Sequence, residues 1–174
     1  MVQSAELLVD DALADAVRDE WRLLSEAGLP SLADHRGPTN APHVTVGVAD
    51  EVDDAAEEAL ASVPLPGELR LGGLLVFAGP RRVVLARAVV ATPALLAAHV
   101  AVTEAWAHCP GRPDHLEPGR WTPHVTLALR LAPDRLGPAV QALAAAPREL
   151  VGRVSGLRRW DGDARRAWTV QETA

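Results

Sequence analysis

The sequence predicts an α+β fold made of two like halves. Three observations support it: the predicted elements run β-α-β-α-β twice, a long Pro/Gly-containing loop precedes the middle strand of each half, and that strand opens with the same tetrapeptide both times. At 174 residues, the chain is long enough to bury a core as one compact domain or as two small lobes sharing a cleft. We therefore expect one bilobal domain, residues 1–174, with halves of approximately 1–78 and 79–174.

The first half begins with a short apolar strand over residues 4–9. A helix should follow, because Asp10 and Asp11 suit an N-cap, Gly28 suits the C-terminal end, and apolar residues recur at helical spacing at Leu13, Val17, Trp21 and Leu24. After a loop over 29–41, the predicted elements are a strand over 43–48, a short acidic helix over 53–62 and a strand over 68–77.

The second half repeats this order after the turn Gly79-Pro80. A further strand is expected after the turn at Asp161-Gly162. The predicted elements are a strand over 83–90, a helix over 93–108, a loop over 110–120, a strand over 121–131, a helix over 134–146, a strand over 149–160 and the added strand over 165–170.

Charge and cysteine content restrict the functions that the chain can have. Its formal net charge of −6 is opposite to that of a protein that grips long duplex nucleic acid, although a small nucleotide or a single-stranded end still fits. The single cysteine, Cys109, cannot form an intramolecular disulfide. No N-terminal leader pattern or membrane-length apolar run is present, so we expect a cytoplasmic protein that does not engage membranes, and a monomer.

The repeated tetrapeptide is the central observation. It reads Pro42-His43-Val44-Thr45 in the first half and Pro123-His124-Val125-Thr126 in the second. Because alternate side chains of a strand share a face, each histidine should lie beside its threonine on one face, with an apolar row on the other. The predicted site faces are His43, Thr45 and Gly47 in the first copy, and His124, Thr126, Ala128 and Arg130 in the second. The predicted core faces are Val44, Val46 and Val48, and Val125, Leu127 and Leu129.

Two histidines and two threonines in one pocket suit phosphoryl transfer. Imidazole has an ordinary pKa of about 6.5, so near neutrality one ring can accept a proton from a nucleophile while the other donates one to a leaving oxygen. Threonine hydroxyls can donate hydrogen bonds to phosphate oxygens, where charge grows in the transition state. This scheme requires no metal and no other cofactor.

The paired motifs His43-Val44-Thr45-Val46 and His124-Val125-Thr126-Leu127 resemble those of the 2H phosphoesterases. That family includes the bacterial 2′-5′ RNA ligase (LigT-like) proteins and RNA 2′,3′-cyclic phosphodiesterases. The resemblance implies two pseudo-symmetric lobes with mainly antiparallel sheets around a central cleft. It also implies opening of a 2′,3′-cyclic phosphate to a 2′-phosphate, with His124 activating water, His43 protonating the leaving 3′ oxygen, and Thr45 and Thr126 holding the phosphate.

Other residues that bear chemistry have two interpretations each. Arg130 is either a substrate-binding residue that reaches a phosphate oxygen or a solvated strand-end charge. His35 and His115 lie in the two long loops, where solvent exposure is favoured over a place at the cleft, and His99 on a helix is expected to be structural. Solvent is also favoured for Arg120, Arg158, Arg159, Arg165 and Arg166, and the core for Phe77, Trp121 and Trp160 over stacking on a base. The segment 108–115 lacks a recognised metal-ligand spacing.

Three functions remain open on the sequence alone. The first is hydrolysis of a 2′,3′-cyclic phosphate on a small nucleotide or an RNA 3′ end. The second is reversible 2′-5′ RNA ligation, which differs in whether a 5′-hydroxyl strand or water reaches the phosphate. The third is a binding module that recognises nucleotides or phosphorylated RNA ends without turnover.

Overall fold

A computed structural model describes residues 2–173, so the two terminal residues of the predicted domain lie outside the described part. The strands are β1 (Gln3–Val9), β2 (His43–Ala49), β3 (Glu68–Phe77), β4 (Val83–Val89), β5 (His124–Leu131), β6 (Leu150–Asp161) and β7 (Arg166–Glu172). The helices are α1 (Asp11–Glu26), α2 (Asp54–Ala59), α3 (Pro93–Ala105) and α4 (Leu136–Ala142). The predicted order of elements is therefore confirmed.

Local chemistry explains where the helices begin. The carboxylate of Asp10 accepts a hydrogen bond from the backbone N–H of Leu13 at 2.9 Å, so it caps α1. Asp53 caps α2 and Thr92 caps α3 in the same way. Pro93 occupies the first turn of α3, where its missing N–H costs no hydrogen bond.

Several predicted elements extend further than the observed ones, including the helix predicted over 93–108, which ends at Ala105. Strand β5 begins at His124 and not at residue 121, because Pro123 has no N–H to donate to the sheet. Helix α2 ends at Ala59, and a 3₁₀ turn covers residues 60–62. Helix α4 begins at Leu136 after another 3₁₀ turn and ends at Ala142.

The strands form one seven-stranded sheet in the order β2-β1-β6-β3-β4-β5, with β7 beside β6. All of its neighbouring strands pair antiparallel, which confirms the mixed fold with an antiparallel sheet. This order is symmetric about its centre. Replacing β1, β2 and β3 by β4, β5 and β6, and the reverse, gives the same order read from the other edge of the sheet. The two predicted halves meet at residue 78, between β3 and β4, but the sheet does not divide there. Strand β6 of the second half pairs with β1 of the first, and β3 of the first half pairs with β4 of the second.

Each motif strand carries a β-bulge directly after its threonine. In β2, Thr45 pairs with Glu6 and Gly47 with Ala5, so Val46 is an extra residue. In β5, Thr126 pairs with Ala86 and Ala128 with Leu85, so Leu127 is the extra residue. Each bulge reverses the inward and outward alternation of the two residues after it, and in β5 a second shift between Ala128 and Leu131 returns Leu131 to the core.

Val46 and Leu127 are buried as predicted, but the predicted faces are wrong at the two residues that follow each of them. Gly47 and Ala128 were assigned to the site face, yet Ala128 is fully buried, and a Cβ on Gly47 would meet Val102 of α3 and Trp106, the residue directly after α3. Val48 and Leu129, which were assigned to the core, line the cleft instead.

Helix packing also crosses between the halves. Helix α3 of the second half covers β2, where it approaches Gly47 closely. Helix α1 of the first half lies behind β5, and its Trp21 donates an indole N–H hydrogen bond to the carbonyl oxygen of Thr126 at 3.0 Å. Each motif strand is thus supported by a helix from the opposite half. Within residues 2–173, the length and apolar character of every helix fall short of what a membrane span needs.

Candidate active site

The two motif histidines are held in the same way. The Nδ1 atom of His43 lies 2.7 Å from the carbonyl oxygen of Ala41, and that of His124 lies 2.8 Å from the carbonyl oxygen of Thr122. A carbonyl oxygen only accepts hydrogen bonds, so both Nδ1 atoms must carry the proton and donate. In both rings Nε2 is therefore the atom that exchanges protons with a ligand.

The surroundings of His124 favour its neutral form. Burial lowers the pKa of His124, and the nearby His43 and His115 rings lower it further, against the opposing effect of the hydrogen bond to Thr122. The Phe77 ring lies beside it, with the ring centroids 4.6 Å apart and the planes inclined at 56°. A neutral ring with a proton on Nδ1 presents the lone pair of Nε2, so His124 is suited to accept a proton.

A buried carboxylate faces His43. Glu6 Oε1 lies 3.6 Å from His43 Nε2, and only 6% of Glu6 is exposed. Ser4 Oγ donates to Oε1 at 2.7 Å, and Arg158 Nε donates to Oε2 at 2.7 Å. Burial raises the pKa of Glu6, but the charges of His43 and Arg158 and the hydrogen bonds from Ser4 and Arg158 outweigh burial, so the pKa lies below its ordinary value.

Two cavities flank the motif residues. The cavity on the His43 side measures about 290 Å³, and the charged residues Glu6 and Arg158 and the polar residues Asn40 and Thr126 are in its lining with Trp160. The cavity on the His124 side measures about 630 Å³ and is largely apolar. Its lining includes Thr45, Phe77, Trp121, Thr126 and Leu129. Thr126 and Leu129 line both, so the two cavities adjoin along β5 and form one cleft.

Indole groups fix the backbone of both threonines. Trp121 donates from Nε1 to the carbonyl oxygen of Thr45 at 3.2 Å, as Trp21 does to Thr126. Trp121 is itself stacked on His99, with the ring centroids 4.0 Å apart and the planes 9° from parallel. His99 is buried, and its Nε2 donates to the carbonyl oxygen of Leu116 at 2.8 Å, which gives it the structural role that was expected.

Comparisons with known proteins assign the chain to a family. The family model described as the 2′-5′ RNA ligase superfamily matches residues 9–166, which is most of the chain. The chain belongs to the 2′-5′ RNA ligase superfamily of 2H phosphoesterases. The resemblance that the paired motifs indicated is therefore confirmed.

Solved structures agree with the superfamily fold. Usb1 of Kluyveromyces marxianus is 13% identical, with a TM-score of 0.54 and 97% of each chain covered. The same protein with uridine monophosphate is 16% identical, with a TM-score of 0.55 and the same coverage. TT0787 of Thermus thermophilus is 20% identical, with a TM-score of 0.54, over 97% of this chain and 94% of that one. A comparison with curated proteins finds no match.

Several other predicted positions in this 2H phosphoesterase can now be placed. Arg130 is exposed, has a backbone φ of 58° and does not line either cavity of the cleft, so the predicted contact with phosphate is not supported. Its left-handed backbone follows the bulge that disrupts the alternation of β5. His35 lines the His43-side cavity, and His115 lines the other, although both are exposed. Arg120 also lines the His124-side cavity while its side chain is 64% exposed.

The expectation that Arg158 and Arg159 are solvated was wrong. They lie in the middle of the sheet on β6, where both are buried by neighbouring strands. Arg158 faces the cleft and pairs with Glu6. Arg159 faces away from it and contacts Glu57 and Trp168. Arg165 and Arg166 are exposed, as expected.

The aromatic residues Phe77, Trp121 and Trp160 were expected in the core, but each is half-buried and lines a cavity of the cleft.

Among residues 2–173, the structure brings together no group of three or more His, Cys, Asp or Glu side chains with metal-ligand geometry. The Glu6–Arg158 pair was missed because the two residues are 152 positions apart and become neighbours only through the strand order.

Proposed function

We propose that this 2H phosphoesterase opens 2′,3′-cyclic phosphates of RNA ends or nucleotides to 2′-phosphates, without a metal ion, by acid and base catalysis from its two motif histidines. The observation that carries the proposal is the matched anchoring of His43 and His124. Each ring is fixed through Nδ1 by a backbone carbonyl, which leaves Nε2 to exchange protons with a substrate in the cleft.

The two rings have different surroundings, which supports separate roles. His124 is held towards its neutral form and is the base; His43, which faces the Glu6 carboxylate, is the acid. His124 Nε2 removes a proton from water as the water oxygen attacks phosphorus. The bond from phosphorus to the 3′ oxygen breaks, and that oxygen takes the proton from His43 Nε2. The product is a 2′-phosphate with a free 3′-hydroxyl, and the two rings then exchange protons with solvent.

The remaining lining supports the choice of substrate. Thr45 and Thr126 line the cleft and would donate hydroxyl hydrogen bonds to the non-bridging phosphate oxygens. The larger cavity, about 630 Å³, lies within the range of roughly 300–1,000 Å³ typical of ligand pockets, and its apolar walls suit a nucleobase or sugar. We also propose the cytoplasm as the location of the protein, and a monomer as its active form.

The test is to incubate the purified protein, in chelator, with nucleoside 2′,3′-cyclic phosphates and with a short RNA that ends in a cyclic phosphate. We expect chromatography to show a 2′-phosphate product, with near-complete loss of turnover in His43→Ala and His124→Ala. Thr45→Ala and Thr126→Ala should each lose less, about 10²-fold to 10³-fold in kcat. His108→Ala is the matched control, because that histidine is exposed in the turn after α3.

Other outcomes would overturn parts of the proposal. Turnover that disappears in chelator and returns with a divalent ion would refute metal independence. Joining of a 5′-hydroxyl strand in preference to hydrolysis would establish the ligase instead. Binding without any change in the substrate, with affinity lost in the histidine variants, would establish the binding module.

A further inference from the structure

We infer that Glu6 is the positioning residue that makes the two motif histidines unequal, by holding the protonated Nε2 of His43 ready to donate. The inference rests on the proposed function, because it assigns a role to a residue beside the same site. The order of the sheet makes the two halves alike, so the difference between the rings must come from residues that the halves do not share.

The strand register identifies those residues. Residues directly opposite one another in an antiparallel pair point to the same face of the sheet. In the first half, Glu6 lies opposite Thr45 on one side and Arg158 on the other. In the second half, the corresponding residue Ala86 lies opposite Thr126 and Leu75. The ion pair Glu6–Arg158 beside His43 is thus replaced by Ala86 and Leu75 beside His124.

The neighbouring positions correspond as well. Leu8 lies opposite His43, and Ala88 lies opposite His124. One step along the sheet, Trp160 lies opposite Ser4, and Phe77 lies opposite Val84. Both halves therefore place an aromatic ring at the far side of the cleft. Ser4, whose hydroxyl donates a hydrogen bond to Glu6, corresponds to Val84, whose side chain has no hydrogen-bond donor.

The geometry at Glu6 suits a charged His43 ring. Because His43 Nδ1 already donates to Ala41, a second donation from Nε2 towards Glu6 requires both ring nitrogens to be protonated. The separation of 3.6 Å is an ion-pair contact and exceeds a good hydrogen bond, so Nε2–H remains available to a leaving oxygen. Arg158 and Ser4 fix the carboxylate so that it cannot turn away.

The charged groups around Glu6 are few. Arg158 faces it from β6 and His43 from β2, while His35 lies in the loop that lines the same cavity. His124 interacts with His43 across the cleft. Among the described residues 2–173, Glu6 is therefore the carboxylate that contacts His43, and Arg158, on the other side of Glu6, holds that carboxylate in place.

The experiment follows the titration of the histidine Cε1–H resonances by NMR in the free protein, with and without the substitution Glu6→Gln. We expect the midpoint of the His43 resonance to move to lower pH in the variant, since a carboxylate in contact with the ring favours its charged form. The His124 midpoint should move slightly the other way, because the neighbouring positive charge is lost. Glu57→Gln is the matched control, since Glu57 pairs with Arg159 on the other face of β6, and both midpoints should stay unchanged.

Activity supplies a second readout that a merely structural role would not change. In Glu6→Gln, the loss of kcat/KM at high pH, which reports the loss of the acid, should begin at a lower pH, with little change at the low-pH limit that reports the base. A uniform fall in kcat/KM at every pH would overturn the positioning role. If the protein proves inactive on cyclic phosphates while the two midpoints still move, the proposed reaction is wrong and the coupling of Glu6 to His43 stands.

Glu6→Gln leaves Arg158 buried without its partner, which can unfold a protein. A double variant, Glu6→Ala with Arg158→Leu, avoids this problem because it copies the pair Ala86–Leu75 from the other half. It should move the His43 midpoint in the same direction but less far, because the opposing positive charge of Arg158 is removed together with the carboxylate. In the unaltered protein, the ¹³C resonance of the Glu6 carboxyl group should show an inflection at the midpoint of His43. A His43 midpoint that is the same in the double variant, or a Glu6 resonance without that inflection, would overturn the inference.

Discussion

Gly47→Ala tests the close packing of α3 behind β2. A Cβ at Gly47 would lie 2.8 Å from Val102 Cγ1 and 3.1 Å from Trp106 Cε3, and both partners are almost fully buried. Neither can move into open space, so the substitution should destabilise the protein by about 2 kcal/mol, within the usual range for overpacking. For a chain of this size, that corresponds to a fall in Tm of about 4–8 °C.

The measurement is thermal unfolding followed by circular dichroism, with Gly73→Ala as the control. Gly73 also lies in a strand, but a Cβ there meets nothing within 4 Å, so its Tm should change little. Val102→Ala removes the contacting methyl group, and combining it with Gly47→Ala should cost less than the sum of the single changes. An unchanged Tm in Gly47→Ala would show that β2 and α3 are not packed as described.

Three further outcomes are expected. Burial lowers the pKa of His99, so the unfolded chain binds more protons at this residue than the folded chain does. The free energy of unfolding should therefore fall as the pH drops below about 6.5. Urea denaturation at several pH values should show a shallower fall in His99→Gln. Trp121→Phe removes the hydrogen bond to Thr45 and should cost about 1 kcal/mol of stability in urea denaturation, with a lower kcat; an unaltered kcat would refute a role for this bond in placing Thr45. Glu20→Ala leaves the Arg87 guanidinium buried without its carboxylate and should cost about 3–5 kcal/mol, measured by chemical denaturation, and a loss under about 1 kcal/mol would contradict the pairing.

The order of the elements and the catalytic candidates could be predicted from the sequence because both depend on local patterns. The repeated His-x-Thr motifs line the two adjoining cavities of the cleft, and the apolar periodicity of Leu13, Val17 and Leu24 gives the buried face of α1. Two features could not be predicted. The bulges that bring Val48 and Leu129 to the cleft depend on the register with the neighbouring strand, which composition and alternation do not determine.

The role of Arg158 shows the same limit. A pair of arginines next to a predicted turn is usually solvated, and nothing within its own segment suggests burial. Only the position of β6 between β1 and β3 in the middle of the sheet gives Arg158 a carboxylate partner and a place in the cleft. Its function arises from contacts between residues that are far apart in the sequence.

The exchange of strands between the halves has a consequence for any attempt to divide the protein. A fragment of residues 1–78 would contain β3 without either of its partners, β4 and β6, and would leave β1 with one free edge. Such a fragment cannot complete its sheet alone, but it could do so with the fragment 79–174, or by trading third strands with a second copy of itself. The exchanged strands thus act as a clasp: cutting the chain at residue 78 would separate β1 from β6 and β3 from β4, so each motif strand would lose part of the sheet that supports it.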